Sequence, residues 1–188
     1  MSVLDARERE VVAVGAAIGA GCRPCTQYHV RAGFKAGLSE EEIRLAVEEA
    51  EVLRIHAATS IADFARGLLG SPEGRAAPLC SPAEPFQALA QVGAATGSNA
   101  GKALDWLLPY VRGLGLTNEA LSEAVEMAGV VKRMAGEFFH KDAERALGGG
   151  AELESPAEAG ACVQAPQPCA GAPAVSGDLA ASSPGSCC

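Results

Sequence analysis

Apolar residues fall three and four apart along much of this chain. Ile43, Ala46, Val47, Ala50 and Leu53 mark one buried helical face, and no stretch shows the alternating β-branched pattern of a half-buried strand. Polar residues set the helix boundaries. Asp5, with Glu8 three residues on, forms a capping box for a first helix running to Gly19. A second helix carries Cys22 and Cys25 and stops at Gly37, and Ser39-Glu40-Glu41-Glu42 caps a third that extends to about Gly67. Pro72, Pro78, Pro82 and Pro85 then mark a linker. The expected fold class is all-α.

The pattern then repeats. A shift of 78 residues brings Val14-Gly15-Ala16-Ala17 onto Val92-Gly93-Ala94-Ala95, Gly19 onto Gly97, and Gly37-Leu38-Ser39 onto Gly115-Leu116-Thr117. It also aligns Ala46-Val47-Glu48 with Ala124-Val125-Glu126 and Leu69-Gly70 with Leu147-Gly148, all without a gap. About a quarter of the aligned positions are identical, which reads as an internal duplication. The expected organisation is a helical repeat over 1–70, a linker over 71–81, a second repeat over 82–147 and a tail over 148–188. The tail is rich in Ala, Gly, Pro and Ser, has no aromatic residue and no period, and is expected to be disordered.

Composition narrows the function classes. Of 188 residues, 48% are hydrophobic but only 4% aromatic, so small side chains on closely approaching helices must build the core. A net charge of −8 with no basic stripe argues against nucleic-acid binding. The longest apolar run, Val11 to Ala20, is too short to span a bilayer, so no membrane partner is expected. That run follows an acidic and basic mixture rather than a basic leader, and a cytoplasmic location is expected. Seven cysteines without framework spacing do not suit a secreted disulfide scaffold.

The chemistry concentrates in Cys22-Arg23-Pro24-Cys25, with His29 four residues later. Two thiols so spaced can close a disulfide across one helical turn, and His29 lies on the helix face of Cys25. At a helix N-terminus the unpaired N–H groups and the helix dipole favour a thiolate over a thiol. Imidazole exchanges protons near neutrality, so it can take the thiol proton and return it to a leaving alkoxide, and Glu10 can orient the ring. The alternatives are two buried structural thiols or half a zinc site. Zinc needs four ligands, and no second C-x-x-C or H-x-x-x-H completes one. The duplication does not preserve these residues: Cys22, Cys25, His29 and Glu10 align with Ala100, Ala103, Leu107 and Ala88. The second repeat is thus expected to supply packing surface and substrate walls.

Leu4-Asp5-Ala6-Arg7-Glu8-Arg9-Glu10, Gly21-Cys22-Arg23-Pro24-Cys25-Thr26-Gln27-Tyr28-His29 and Ala36-Gly37-Leu38-Ser39-Glu40-Glu41-Glu42-Ile43 together resemble the carboxymuconolactone decarboxylase/alkylhydroperoxidase D-like family. The resemblance covers residues 4–70 and, as a degenerate repeat, 82–147. It implies an all-helical fold and a thiol-dependent peroxidase or dithiol–disulfide oxidoreductase. The implied roles are attacking thiol for Cys25, resolving thiol for Cys22 and proton relay for His29 and Glu10. The implied redox group is the Cys22–Cys25 disulfide, with no other cofactor. Pro24 stands where alkylhydroperoxidase D commonly has a further histidine. Members that decarboxylate a muconolactone lack the dithiol, which disfavours that activity. The expected partners are a peroxide or disulfide substrate, a dithiol electron donor and further copies of the chain, as a trimer, because a duplicated chain would replace pairs of subunits in the larger rings of single-repeat relatives.

Other thiols offer a second function. Cys187-Cys188, with Cys162 and Cys169, could bind Hg(II), As(III) or Cu(I) as soft ligands, or exchange with the core dithiol. Cys80 is expected to be an ordinary linker thiol, and His56 and His140 to be structural or exposed without partners.

Overall fold

The computed structural model describes residues 3–70 and 79–148. They form six helices: α1 (Ala6–Gly19), α2 (Arg23–Lys35), α3 (Glu40–Leu68), α4 (Pro85–Gly97), α5 (Gly101–Gly113) and α6 (Asn118–Leu147). Among the described residues there is no strand, so the chain is all-α. Lengths of 14, 13 and 29 residues recur as 13, 13 and 30. The segment 71–78, and with it most of the expected linker, lies outside the described residues, as does 149–188, which holds the four tail cysteines.

The helix starts follow from local chemistry. The Asp5 carboxylate accepts the Glu8 N–H at 2.8 Å, while the Glu8 carboxylate accepts the Asp5 N–H at 2.8 Å. Ser39 and Glu42 make the same reciprocal pair at the start of α3. Each box satisfies N–H groups that the first helical turn leaves unpaired, and its loss costs about 1 kcal/mol. Pro85 opens α4 at a position where its missing N–H is harmless.

The core lies where α1 crosses α4. Val11, Val12 and Val14 from α1 meet Leu89 and Val92 from α4, all with no exposed surface. Burying each such side chain is worth about 1.5–3 kcal/mol. Four glycines let the backbones touch: a Cβ at Gly15 or Gly19 would overlap the carbonyl of Ala90 or Ala94, and one at Gly93 or Gly97 the carbonyl of Val12 or Ala16. Gly15 and Gly19 are the positions that the 78-residue shift aligns with Gly93 and Gly97. The crossing is therefore made of the same elements from both repeats, and residues through Leu147 form one compact unit.

The long helices α3 and α6 each pack on both central helices. Ion pairs fasten the N-terminus of α1 to them. Glu123 of α6 accepts from Arg9 Nη2 at 2.8 Å and Nε at 3.0 Å, and from the Val3 N–H at 2.7 Å. Arg7 pairs with Glu42 of α3 and lies over the Phe86 ring. Gln91 of α4, buried, donates to Glu49 of α3 at 2.6 Å. As a result α6, from the second repeat, reaches α2 of the first.

Candidate redox site

Gly21 turns the chain from α1 into α2 with φ +71°, a conformation that side chains with a Cβ resist. Its counterpart Asn99 takes φ +59°, the non-glycine residue best suited to that region. Beyond the turn, Cys22 is the N-cap of α2 and its sulfur accepts the Cys25 N–H at 3.2 Å. Arg23 and Pro24 fill the first turn and Thr26 ties its hydroxyl back to the Cys22 carbonyl at 2.9 Å. Both cysteines sit where α2 directs its unpaired N–H groups, a setting that stabilises a thiolate. They are joined as a disulfide with Cα atoms 5.3 Å apart, and both are buried.

The other two site residues come from different helices. His29, one turn after Cys25 on α2, places Nδ1 2.9 Å from Oε2 of Glu10 on α1. An ionised carboxylate only accepts hydrogen bonds, so Nδ1 carries the proton and Nε2 is the basic nitrogen. The Tyr28 ring meets His29 edge-on, with centroids 5.0 Å apart. Both members of the pair are largely withdrawn from solvent, with 15% and 23% of their side-chain surface exposed.

Cys25 and His29 line a cavity of about 120 Å3 together with Pro24 and Tyr28 and with Val131, Met134 and Phe138 of α6. Cys22 instead lines two wider cavities. One, of about 460 Å3, lies against Lys132, Phe138, Phe139 and Asp142 of α6. The other, of about 370 Å3, lies against Ile18, Thr26, Gln27 and Arg54. The second repeat thus walls the dithiol. Sequence reasoning anticipated walls from that repeat but named none of these residues; the 3.6-residue period of α6 marked them only as a helix face.

The equivalent place in the second repeat is a cavity of about 520 Å3 between α3 and the start of α5, lined by His56, Ser60, Phe64, Ala100 and Ala103. The expectation that His56 lacks a partner is corrected: its Nε2 lies 3.1 Å from the Ser60 hydroxyl one turn away. His140 meets the Phe139 ring at 6.1 Å. Cys80 is an exposed free thiol. Among the described residues no group of three or more His, Cys, Asp or Glu is placed to hold a metal ion, and no helix is long and apolar enough to cross a membrane.

Residues 2–66 match the model of the carboxymuconolactone decarboxylase family. No curated protein and no solved structure matches the chain. The matched segment contains α1, α2, both cysteines, His29, Glu10 and nearly all of α3. Over this first helical repeat, with its dithiol, the chain is similar to the carboxymuconolactone decarboxylase family, which includes enzymes.

Proposed function

We propose that the protein is a thiol-dependent peroxidase of the alkylhydroperoxidase D type that cycles through the Cys22–Cys25 disulfide. The observation that carries this reading is a dithiol at a helix N-terminus whose second sulfur shares a small cavity with a carboxylate-paired histidine. In the reduced protein, Cys25 loses its proton to His29 and attacks one peroxide oxygen. The O–O bond breaks, the departing alkoxide takes the proton from His29, and Cys25 is left as a sulfenic acid. Cys22 then displaces water from it, and the disulfide forms. An external dithiol returns two electrons. Glu10 keeps the imidazole oriented and stabilises its protonated form.

The test is turnover: protein plus a dithiol should consume an organic hydroperoxide catalytically, and Cys25→Ser should not. Muconolactone decarboxylation without peroxide turnover would refute the reading. We also propose that the protein forms a homo-oligomer, as a trimer. Ile55, Ile61, Phe64 and Leu68 leave more than half of their surface exposed along α3, an apolar extent that a second copy would cover. Light scattering at micromolar concentration tests this, and a monomer would refute it.

A further inference from the structure

We infer that the cavity beside Cys22 binds an anionic thiol, so that the electron donor carries carboxylates next to its dithiol. This rests on the peroxidase reading and adds the chemical class of its reductant. In a chain of net charge −8, the cavity lined by Gly21, Cys22, Thr26, Gln27, Arg23 and Arg54 contains two guanidinium groups and no carboxylate. Neither arginine has an ion-pair partner among the described residues. Arg54 is held in place: Nη1 donates to the Ile18 carbonyl at 2.8 Å, and its guanidinium lies against Gly21, where a Cβ would meet it at 2.6 Å. Glu51, one turn before it on α3, lines the adjoining cavity. Arg23 also lines the wider cavity on the other side of Cys22, where Lys132 adds a third cation against the single carboxylate of Asp142. The Cys25 cavity, by contrast, is small and holds no lysine or arginine.

The two sulfurs therefore face different surroundings. The neutral peroxide meets Cys25, and the donor meets Cys22. A donor thiolate attacks Cys22 Sγ, the disulfide bond breaks, and the electron pair leaves on Cys25 Sγ, which takes a proton from His29. The donor's second thiolate then attacks its own sulfur in the mixed disulfide and releases Cys22 as a thiolate, which is protonated from solvent. The donor ends as a disulfide, oxidised by two electrons, and the protein dithiol is restored. Arg23 and Arg54 hold the donor's carboxylates and raise its local concentration at Cys22.

The experiment compares reduction of the oxidised full chain by meso-2,3-dimercaptosuccinate, which carries two carboxylates, with reduction by neutral dithiothreitol. The reaction is quenched with iodoacetamide, and labelling of the peptide holding Cys22 and Cys25 is counted by mass. Taking the ratio of the two rates, anionic over neutral, cancels effects on the disulfide itself. Arg23→Gln, at an exposed side chain with no hydrogen bond among those described, should lower this ratio about threefold, and Arg23→Gln with Arg54→Gln about tenfold. Arg23→Lys should restore the ratio. Raising the salt concentration should lower it in the wild type and much less in the double variant. A ratio unmoved by Arg23→Gln and by the double variant, with both donors still reducing the disulfide, would overturn this inference alone. Failure of both dithiols to reduce the wild-type disulfide would overturn the peroxidase reading with it.

Discussion

Cys25 and Phe138 line one cavity although they belong to different repeats, α2 of the first and α6 of the second. The second repeat has no dithiol, yet it forms one wall of the cavity that Cys25 lines, and on the proposed function this wall should limit the size of what approaches the sulfur. Phe138→Ala should open that cavity. Reduced Cys25 should then react faster with a bulky maleimide, while its reaction with iodoacetamide changes little. Because Phe138 is 37% exposed, the stability loss should be about 1 kcal/mol, well below the cost at a fully buried phenylalanine. Equal acceleration with both reagents would mean that the wall does not select by size.

The Glu10–His29 pair makes a prediction about proton transfer. His29→Ala should slow attack by Cys25 about 10²- to 10⁴-fold, the usual contribution of a positioned acid–base group. Glu10→Gln keeps the hydrogen bond without the charge, so its effect should be smaller and should appear as a change in the pH profile. The double variant should be little worse than His29→Ala, because groups acting as one unit are not additive. Far-UV circular dichroism should be unchanged in all three. Wild-type rates from His29→Ala across pH 6 to 8 would remove the histidine from the mechanism.

The glycine crossing is the structural counterpart. Gly15→Ala would drive a methyl group into the Ala90 carbonyl, and α1 and α4 can separate only by disturbing the valine core. A loss of about 3 kcal/mol is expected, the upper part of the usual overpacking range. Denaturant midpoints for Gly15→Ala and the control Gly113→Ala, where a Cβ meets nothing, would measure it. Equal midpoints would contradict the close approach.

A pH dependence follows from the cap of α3. The Ser39 backbone N–H and then its hydroxyl hold the Glu42 carboxyl below its ordinary value, partial desolvation opposes them, and the positive charge of Arg7 adds to the lowering. A carboxyl lowered on folding stabilises the folded state above the ordinary carboxylate value, and this is lost as pH falls through the lower folded-state value. Thermal melts of wild type and Glu42→Gln should therefore differ at pH 7 and converge toward pH 3. A gap that persisted at low pH would mean that the carboxylate charge is not what the cap uses.

Much of this was readable from the chain because it is written in local chemistry. Asp5 with Glu8 and Ser39 with Glu42 announce helix starts within four residues, and the cysteine spacing announces a disulfide across one turn. The pairing of His29 with Glu10 came from family spacing, since two residues 19 apart in the chain carry no local signal that α1 lies beside α2. What the sequence concealed depends on how helices cross. Gly15 and Gly93 were visible as repeat positions, but their role as a backbone contact appears only with α1 against α4. Likewise Met134 and Phe138 read as ordinary positions on a long helix until α6 is seen to lie over α2. His56 misled because its partner, Ser60, is a helical neighbour whose hydroxyl gives no pattern.

The central claim is that Cys25 reduces peroxide and Cys22 completes the disulfide. The most direct measurement adds one equivalent of an organic hydroperoxide to fully reduced Cys22→Ser, in the presence of dimedone, and maps the product by mass. The account predicts a dimedone adduct on Cys25, and in the wild type a Cys22–Cys25 disulfide in its place. An adduct on Cys22 in the reciprocal Cys25→Ser variant, with none on Cys25, would reverse the roles. No modification of either cysteine while peroxide persists would contradict the account.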